Sequence, residues 1–480
     1  MQATYQATYL FADAERGVLT DVALAHEGGR ITQLRPGAAP AQGTRSLVIP
    51  ALVNAHDHAR PSMSSFGAAN MPLETWIARA VFGTPAEPYL AAAVSLARSA
   101  RAGCGAMMIH YTRPSGTMGL VEEARAIARA ATDVGIRIAF ALAVRDQNPI
   151  VYGDTAGVLD RLPADARKSV EDMFVRPPPS PRAYLDLIEE IAAAIVGPTV
   201  DVQLGPAGVQ WCSTTLLEAI AAHSAASGRR VHMHLLETVY QRAWADRAFP
   251  NGVVRHLKEI GLLSERLTLA HCIHARPDEV DMIAGSGATI VTNFSSNLHL
   301  HSGLAPIAVA YRRGCPIAVG VDGVALDEDD DAIREMRLVQ IAHDGVGFER
   351  TWSRAEFLAG ALRAGRKSVG APGKGELAEG EPADFAVLDF DALDRDAIMP
   401  VDPLDMLFAR GNMRCVRDVV VAGRTIVANG LVRGIDLDAA EVELRRMFRA
   451  NVPRYAELQR SWRPFEAALT EWYLTCCGCS

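Results

Sequence analysis

The chain has 480 residues, 49% hydrophobic and 22% charged, the composition of an ordinary globular protein able to bury a large core. Its formal net charge is −8 and its lysines are confined to Lys168, Lys258, Lys367 and Lys374, so the basic stripe that nucleic acid requires is missing. No apolar run is long enough to span a bilayer.

The first fifty residues read as short strands, Thr4–Leu10, Val22–His26 and Ile31–Leu34, with a turn at Gly28-Gly29. From Leu47 the pattern changes. Eight short apolar runs follow: Leu47–Val53, Cys104–Ile109, Ile136–Val144, Val200–Leu204, Val231–Leu235, Leu267–Ala270, Thr289–Val291 and Pro316–Val321. Runs this rich in Val, Ile and Leu suit parallel strands buried on both faces. Helical periodicity fills the intervals at Leu90–Ala100, Val121–Val134, Tyr184–Val196, Thr215–Ser227 and Ala355–Ala364. Eight such alternations predict an α/β fold of the (β/α)8 TIM-barrel type. Tyr152–Pro181, with Pro177-Pro178-Pro179, reads as a long loop or insertion. Strand patterns return at Ala383–Leu388, Val416–Val421 and Thr425–Val427. Both ends of the chain are therefore expected to make one small β-sandwich domain, residues 1–50 and 371–435, beside a barrel of residues 51–370. Residues 436–480 are expected to form a helical extension.

Met1–Tyr9 lacks a basic-then-apolar leader. Cys104, Cys212, Cys272, Cys315 and Cys415 stand singly in apolar contexts and read as buried thiols of a reducing cytoplasm. The tail Cys476-Cys477-Gly478-Cys479 has the look of a soft-metal tract but no second cluster, and reads as a frayed end.

Active sites of TIM barrels lie at the C-terminal ends of the strands. The first run leads into His56-Asp57-His58, the fifth contains His232-Met233-His234 with Glu237 just beyond, the sixth ends at His271, and the eighth ends at Asp322. Two residues apart on extended backbone, His56 and His58 point to one face. Imidazoles joined by a carboxylate suit a borderline-soft divalent ion such as Zn²⁺.

These pieces resemble the amidohydrolase superfamily, in its branch of cytosine, guanine and adenosine-type deaminases and triazine hydrolases. The matching stretches run in family order over nearly the whole chain: His56-Asp57-His58, Pro72-Leu73-Glu74-Thr75-Trp76, Gly205-Pro206 with Cys212-Ser213, His232 to Thr238, Ala270-His271-Cys272, Ser296-Asn297-Leu298, Gly320-Val321-Asp322-Gly323 and Gly375-Glu376-Leu377. The resemblance implies metal ligands His56, His58, His234 and Asp322, a proton-shuttling Glu237, and a His271 that polarises the substrate or holds the attacking oxygen; Asp322 also takes the water's proton. It implies one zinc ion, with iron as the alternative, because the fourth strand lacks the lysine that a two-metal relative carboxylates. The implied reaction is release of ammonia from a small purine, pterin, pyrimidine or triazine by a metal-activated hydroxide. Dechlorination, alkylamine removal or cyclic-amide opening is the rival on the same scaffold. Partners are the heterocycle and water, and the resemblance leaves a homodimer open.

Candidate substrate contacts are Gln210 and Trp211 after the fourth strand, His110 after the second, and Arg60, Glu74 and Trp76. His232 reads as a core residue or a neighbour of the ligands, and His299 and His301 as rim or solvated residues. Asp327-Glu328-Asp329-Asp330-Asp331 reads as a solvated face or helix start. Ala207-Gly208 stands where adenosine-type deaminases carry a histidine, which argues against a thioadenosine substrate.

Overall fold

The computed structural model describes residues 3–38, 43–60, 62–83 and 86–475. The Cys476-Cys477-Gly478-Cys479 tail lies outside the described residues.

Among the described residues, sixteen strands form two sheets of eight. The chain opens with β1 (Ala3–Asp13), β2 (Gly17–Glu27), β3 (Arg30–Arg35) and β4 (Ser46–Pro50). Eight parallel strands follow: β5 (Leu52–Asn54), β6 (Cys104–Tyr111), β7 (Arg137–Val144), β8 (Val200–Pro206), β9 (Val231–Leu235), β10 (Leu267–His271), β11 (Thr289–Thr292) and β12 (Ile317–Val319). They neighbour one another in sequence order. The ring is drawn shut where the Ala55 amide donates to the Val319 carbonyl (3.0 Å) and the Asp322 amide donates to the His56 carbonyl (2.9 Å). This is the expected TIM barrel, and β6 is buried at every position, as a strand covered on both faces must be.

The last strands are β13 (Phe385–Asp389), β14 (Val416–Val421), β15 (Arg424–Ala428) and β16 (Leu431–Val432). They join the first four in the order β16-β15-β14-β13-β4-β1-β2-β3. Leu10, Leu24, Ile31, Phe385 and Val420 close a separate core inside this composite sheet. Asp384 ties it to the barrel. Its carboxylate accepts from Arg366 Nη2 (2.7 Å), Arg137 Nε (3.1 Å) and the Ala422 amide (2.6 Å).

Two expectations need correction. The apolar run Leu47–Val53 is not one strand but two, because the chain changes sheets inside it. β4 pairs with β1 and β13, whereas the Leu52 amide already donates to the Gly103 carbonyl at the base of the barrel. Nor is Tyr152–Pro181 a plain loop. It contains helices Ala156–Leu159 and Ala164–Phe174, which pack Val158, Ala166 and Val170 against helix Ala456–Thr475. The latter helix offers Trp462, Phe465, Leu469, Trp472 and Tyr473 at three- and four-residue spacing. Tyr152 of the insertion and Ala207 and Trp211 of the loop after β8 enter the same cluster, so the C-terminal helix roofs one side of the barrel mouth.

Candidate active site

The turn after β5 carries the first two imidazoles, and its shape is written into neighbouring side chains. Asp57 Oδ1 accepts from the amides of His58 (2.7 Å) and Ala59 (3.0 Å), and its Oδ2 accepts from Asn54 Nδ2 (2.8 Å). Asn54 Oδ1 in turn accepts the Val321 amide (2.9 Å), which binds the first strand end to the last. Gly320 is needed there: a Cβ would stand 2.8 Å from the His56 nitrogen and 2.3 Å from Asn293 Oδ1. Backbone strain gathers at the same strand ends. His271 and Asp322 adopt positive φ of 74° and 61°, conformations that non-glycine residues take up rarely and that concentrate at functional sites.

Each ring has its Nδ1 side occupied. His58 Nδ1 donates to the His110 carbonyl (2.6 Å) and His234 Nδ1 to the Ala207 carbonyl (2.8 Å). His56 Nδ1 meets His232 Nε2 at 2.7 Å. Burial drives His56 down to about 3 and His58 to about 4, and drives His234 well below the ordinary imidazole range. At neutral pH these rings carry no charge, and their Nε2 atoms hold bare lone pairs.

Those lone pairs converge on a carboxylate. Asp322 Oδ1 lies 3.0 Å from His58 Nε2 and 3.4 Å from His56 Nε2, with no proton available to bridge His58 to it. Donor atoms of His56, His58 and Asp322 all fall within 4.8 Å of one another, as do those of His56, His234 and His271. Acceptors held this close repel unless a cation sits among them. Four ligand atoms placed tetrahedrally at about 2.0–2.1 Å from zinc stand roughly 3.3 Å apart, a spacing the two Asp322 contacts match, while His234 joins the site through His56. Burial would raise the Asp322 carboxyl, but the close approach of His56 and His58 and the charge on Arg60 keep it well below the ordinary range. Ser296 Oγ donates to its Oδ2 (2.6 Å), and Arg60 Nη2 donates to its backbone carbonyl (2.7 Å) and reaches Oδ1 (3.3 Å).

Two further groups face the constellation. Glu237 is buried, its carboxyl lifted to about 7 by that burial and lowered in part by His271. His271 Nε2 lies 3.8 Å from Glu237 Oε2 and has no hydrogen-bond partner, while its Nδ1 meets Asn297 Oδ1 at 2.8 Å.

The other residues singled out from sequence divide into three positions. His110 packs among the imidazoles, its ring 4.9 Å from that of His234, and its carbonyl orients His58. Arg60 lies over Trp76, guanidinium to ring centroid 4.6 Å, and Trp76 Nε1 donates to the Ala68 carbonyl. Glu74, Gln210 and Trp211 are buried on the roofed side: Glu74 Oε1 accepts from Thr238 Oγ1 (2.6 Å) and Tyr152 Oη (3.3 Å), and Trp211 meets Tyr152 edge to face at 5.7 Å. His301 is an exposed partner of Asn70, and His299 is half-buried. In the acidic run, Asp331 caps helix Ala332–His343 by accepting from the Arg334 amide, and Asp330 is buried. Sequence reasoning gave Asn54 and Tyr152 no role, and it named Ser296 and Asn297 only as part of a matched stretch. For Asn54 and Tyr152 the available signal was position beside a strand end or an insertion.

A parallel barrel carrying histidines and an aspartate on its first, fifth, sixth and eighth strand ends defines a metal-dependent hydrolase scaffold. The chain belongs to the amidohydrolase family, whose model matches residues 47–426. Among curated relatives, the 5'-deoxyadenosine deaminase of Methanothermobacter thermautotrophicus is 29% identical over 310 residues, 64% of this chain and 66% of that protein. The 8-oxoguanine deaminase of Pseudomonas aeruginosa is 29% identical over 436 residues, 86% of this chain and 91% of that protein. Among solved structures, a zinc-bound adenosine deaminase from Xanthomonas campestris superposes with a TM-score of 0.78 at 22% identity, covering 94% of this chain and 98% of its own. Zinc-complexed atrazine chlorohydrolase TrzN from Arthrobacter aurescens gives 0.76 at 22% identity, covering 93% and 99%. At that identity the two structures establish the fold. No helix among the described residues is long and apolar enough to cross a membrane.

Proposed function

We propose that this chain is a hydrolytic deaminase of a small amino-substituted N-heterocycle, with one zinc ion held by His56, His58, His234 and Asp322. The observation that carries the reading is a buried carboxyl able to exchange a proton near neutral pH, Glu237, beside three uncharged imidazoles and an ionised aspartate. β8 carries no lysine, the residue that a two-metal relative carboxylates on this strand, which favours a single ion. Zinc is favoured by the bound ion of the structural neighbours. The five cysteines among the described residues, all buried and unpaired, favour a reducing compartment such as the cytoplasm.

When bound, the ion would supply acidity to water, bringing its pKa down toward about 7. The chain's own groups do the rest. Asp322, kept ionised by its contacts with His56 and His58 and by the charge on Arg60, accepts a proton from the attacking water. His271 has committed its Nδ1 proton to Asn297, so its Nε2 accepts a hydrogen bond from that water and aims it. Glu237 passes a proton to the ring nitrogen next to the carbon under attack, so no full negative charge builds on the ring. As the carbon–nitrogen bond breaks, Asp322 passes the water's proton to the amine, which leaves as ammonia; the proton of the remaining hydroxyl restores Glu237, and the ring keeps the water's oxygen.

The test is an ammonia-release screen of the zinc-loaded protein over purines, pterins, pyrimidines and triazines, with chloride release and ring opening scored in parallel. Ammonia from at least one amino-azine, lost together with bound zinc in Asp322→Ala, is the expected result. Chloride release or ring opening without ammonia overturns the reading.

A further inference from the structure

Gln210 is buried completely, and neither polar atom of its carboxamide, Nε2 or Oε1, has a hydrogen-bond partner. Among the described residues no other carboxamide is in that state; Gln203, Gln241 and Asn293 each leave one atom unpaired. Burying an amide without partners is unfavourable, and a side chain with only a packing role would not be kept so. Nor is it slack. The Gln210 carbonyl accepts from Asn148 Nδ2 (2.6 Å) and Gln147 Nε2 (3.4 Å), which pins the loop from the insertion side. The carboxamide lies against Gly208, where an added Cβ would come within 3.1 Å of both its polar atoms. Gly208 bridges to His234, and its neighbour Ala207 supplies the carbonyl that orients that ring. On the same side, Glu74 Oε2 and Gln241 Nε2 are also buried without partners. Tyr152 and Trp211 are buried on the same side and meet edge to face.

A carboxamide offers one donor beside one acceptor. Its complement is an acceptor beside a donor, the C=O and N–H of a ring lactam. An adenosine-type ring offers such a pair only through the exocyclic amine that is to leave, or next to it. We infer that Gln210 sets the substrate class by reading a ring lactam, so that the substrate is an oxo-substituted aminopurine or aminopteridine. The inference rests on the deaminase reading above for its chemistry, but not for its binding.

Two matched comparisons test it. Guanine against 2-aminopurine, and pterin against 2-aminopteridine, keep the amine and remove the lactam. Hypoxanthine against purine does the same without a leaving group. A site built to hydrogen-bond a substrate rejects the analogue lacking those groups by about 10⁴-fold. The zinc-loaded protein should therefore favour the lactam member in kcat/KM by at least about 10³-fold, and hypoxanthine should raise its melting temperature where purine does not. In Gln210→Leu the preference should collapse to within tenfold and the hypoxanthine shift should vanish, with zinc content unchanged. Equal turnover of both members by the unmodified protein overturns the inference even if Gln210→Leu does not fold. So does a preference that survives the substitution. Gln210-dependent hypoxanthine binding with no ammonia from any ring supports the lactam site and removes the deaminase reading instead.

Discussion

Replacing Glu237 by Gln isolates the proton carrier from everything else at the site. The substitution keeps the volume of a side chain that is 2% exposed. It leaves untouched the contact in which the Glu237 backbone amide donates to Gln241 Oε1 (2.8 Å). Glu237 belongs to neither group of converging ligand atoms, so zinc content should be unchanged. What disappears is a proton that moves at working pH. Burial lifts the carboxyl to about 7, so near neutrality the acid and its base are both well populated, the condition under which a positioned acid–base group is most effective. Such groups contribute about 10²–10⁴-fold, which at 1.36 kcal/mol per decade is about 2.7–5.4 kcal/mol of barrier. We expect kcat on the best amino-azine to fall by that factor. The sign of the pH effect follows from the proton's direction. If Glu237 must start protonated, activity falls as pH rises through about 7, and in Glu237→Gln that limb is absent. Ammonia release from pH 5 to 9, with zinc measured on the same samples, decides the matter. An unchanged kcat at full zinc, or a falling limb that persists in the variant, refutes the assignment.

His232 should act through His56 and not on the substrate. Removing its Nε2 acceptor in His232→Phe is expected to weaken zinc binding by about 10–100-fold, read by chelator competition; His232→Gln, which restores an acceptor, should recover much of the loss, and activity at saturating zinc should change little. Asp384→Ala strands the guanidiniums of Arg137 and Arg366, whose side chains are 9% and 4% exposed, without their carboxylate. Breaking a buried pair from one side costs about 3–5 kcal/mol, so the urea midpoint should drop sharply while zinc content at low denaturant stays intact.

Much of this architecture was legible in the amino-acid order because a buried parallel strand and an amphipathic helix leave different periods. The eight runs, the two-residue spacing of His56 and His58, and the lone Asp322 at the last strand end required no coordinates. Where the reading failed, the cause was tertiary. Leu47–Val53 is apolar throughout because it is buried first in the composite sheet and then in the barrel, and uninterrupted burial conceals a change of hydrogen-bond partner between Ala51 and Leu52. The helix Ala164–Phe174 fully buries only Ala166 and Val170, with Met173 and Phe174 half-buried against the same cluster, so its apolar face is too narrow to announce a helix without the Ala456–Thr475 partner. That partner shows its aromatic spacing openly, but nothing in sequence says which face of the barrel it covers.

The histidines show the same limit on a finer scale. Inward positions of adjacent strands share one interior, so His56, His110, His232, His234 and His271 form one continuous stack of ring contacts, with neighbouring centroids 4.8–5.6 Å apart. Spacing cannot divide such a stack into ligands and supports, because residues two apart on β9, His232 and His234, point to the same side. The division comes from what each ring does with its single proton. His58 and His234 give theirs to backbone carbonyls and so present Nε2 outward; His271 gives its own to Asn297; His232 spends Nε2 on His56 and has none to offer an ion. A carbonyl accepts and never donates, so the tautomers of His58 and His234 are set by the backbone of the neighbouring strand ends at His110 and Ala207. In the proposed ligand set, main-chain geometry thus orients His58 and His234, whereas His56 is oriented by the His232 side chain. Side-chain substitutions at residues 110 or 207 that leave the backbone in place should therefore preserve zinc binding, even beside the most crowded part of the site.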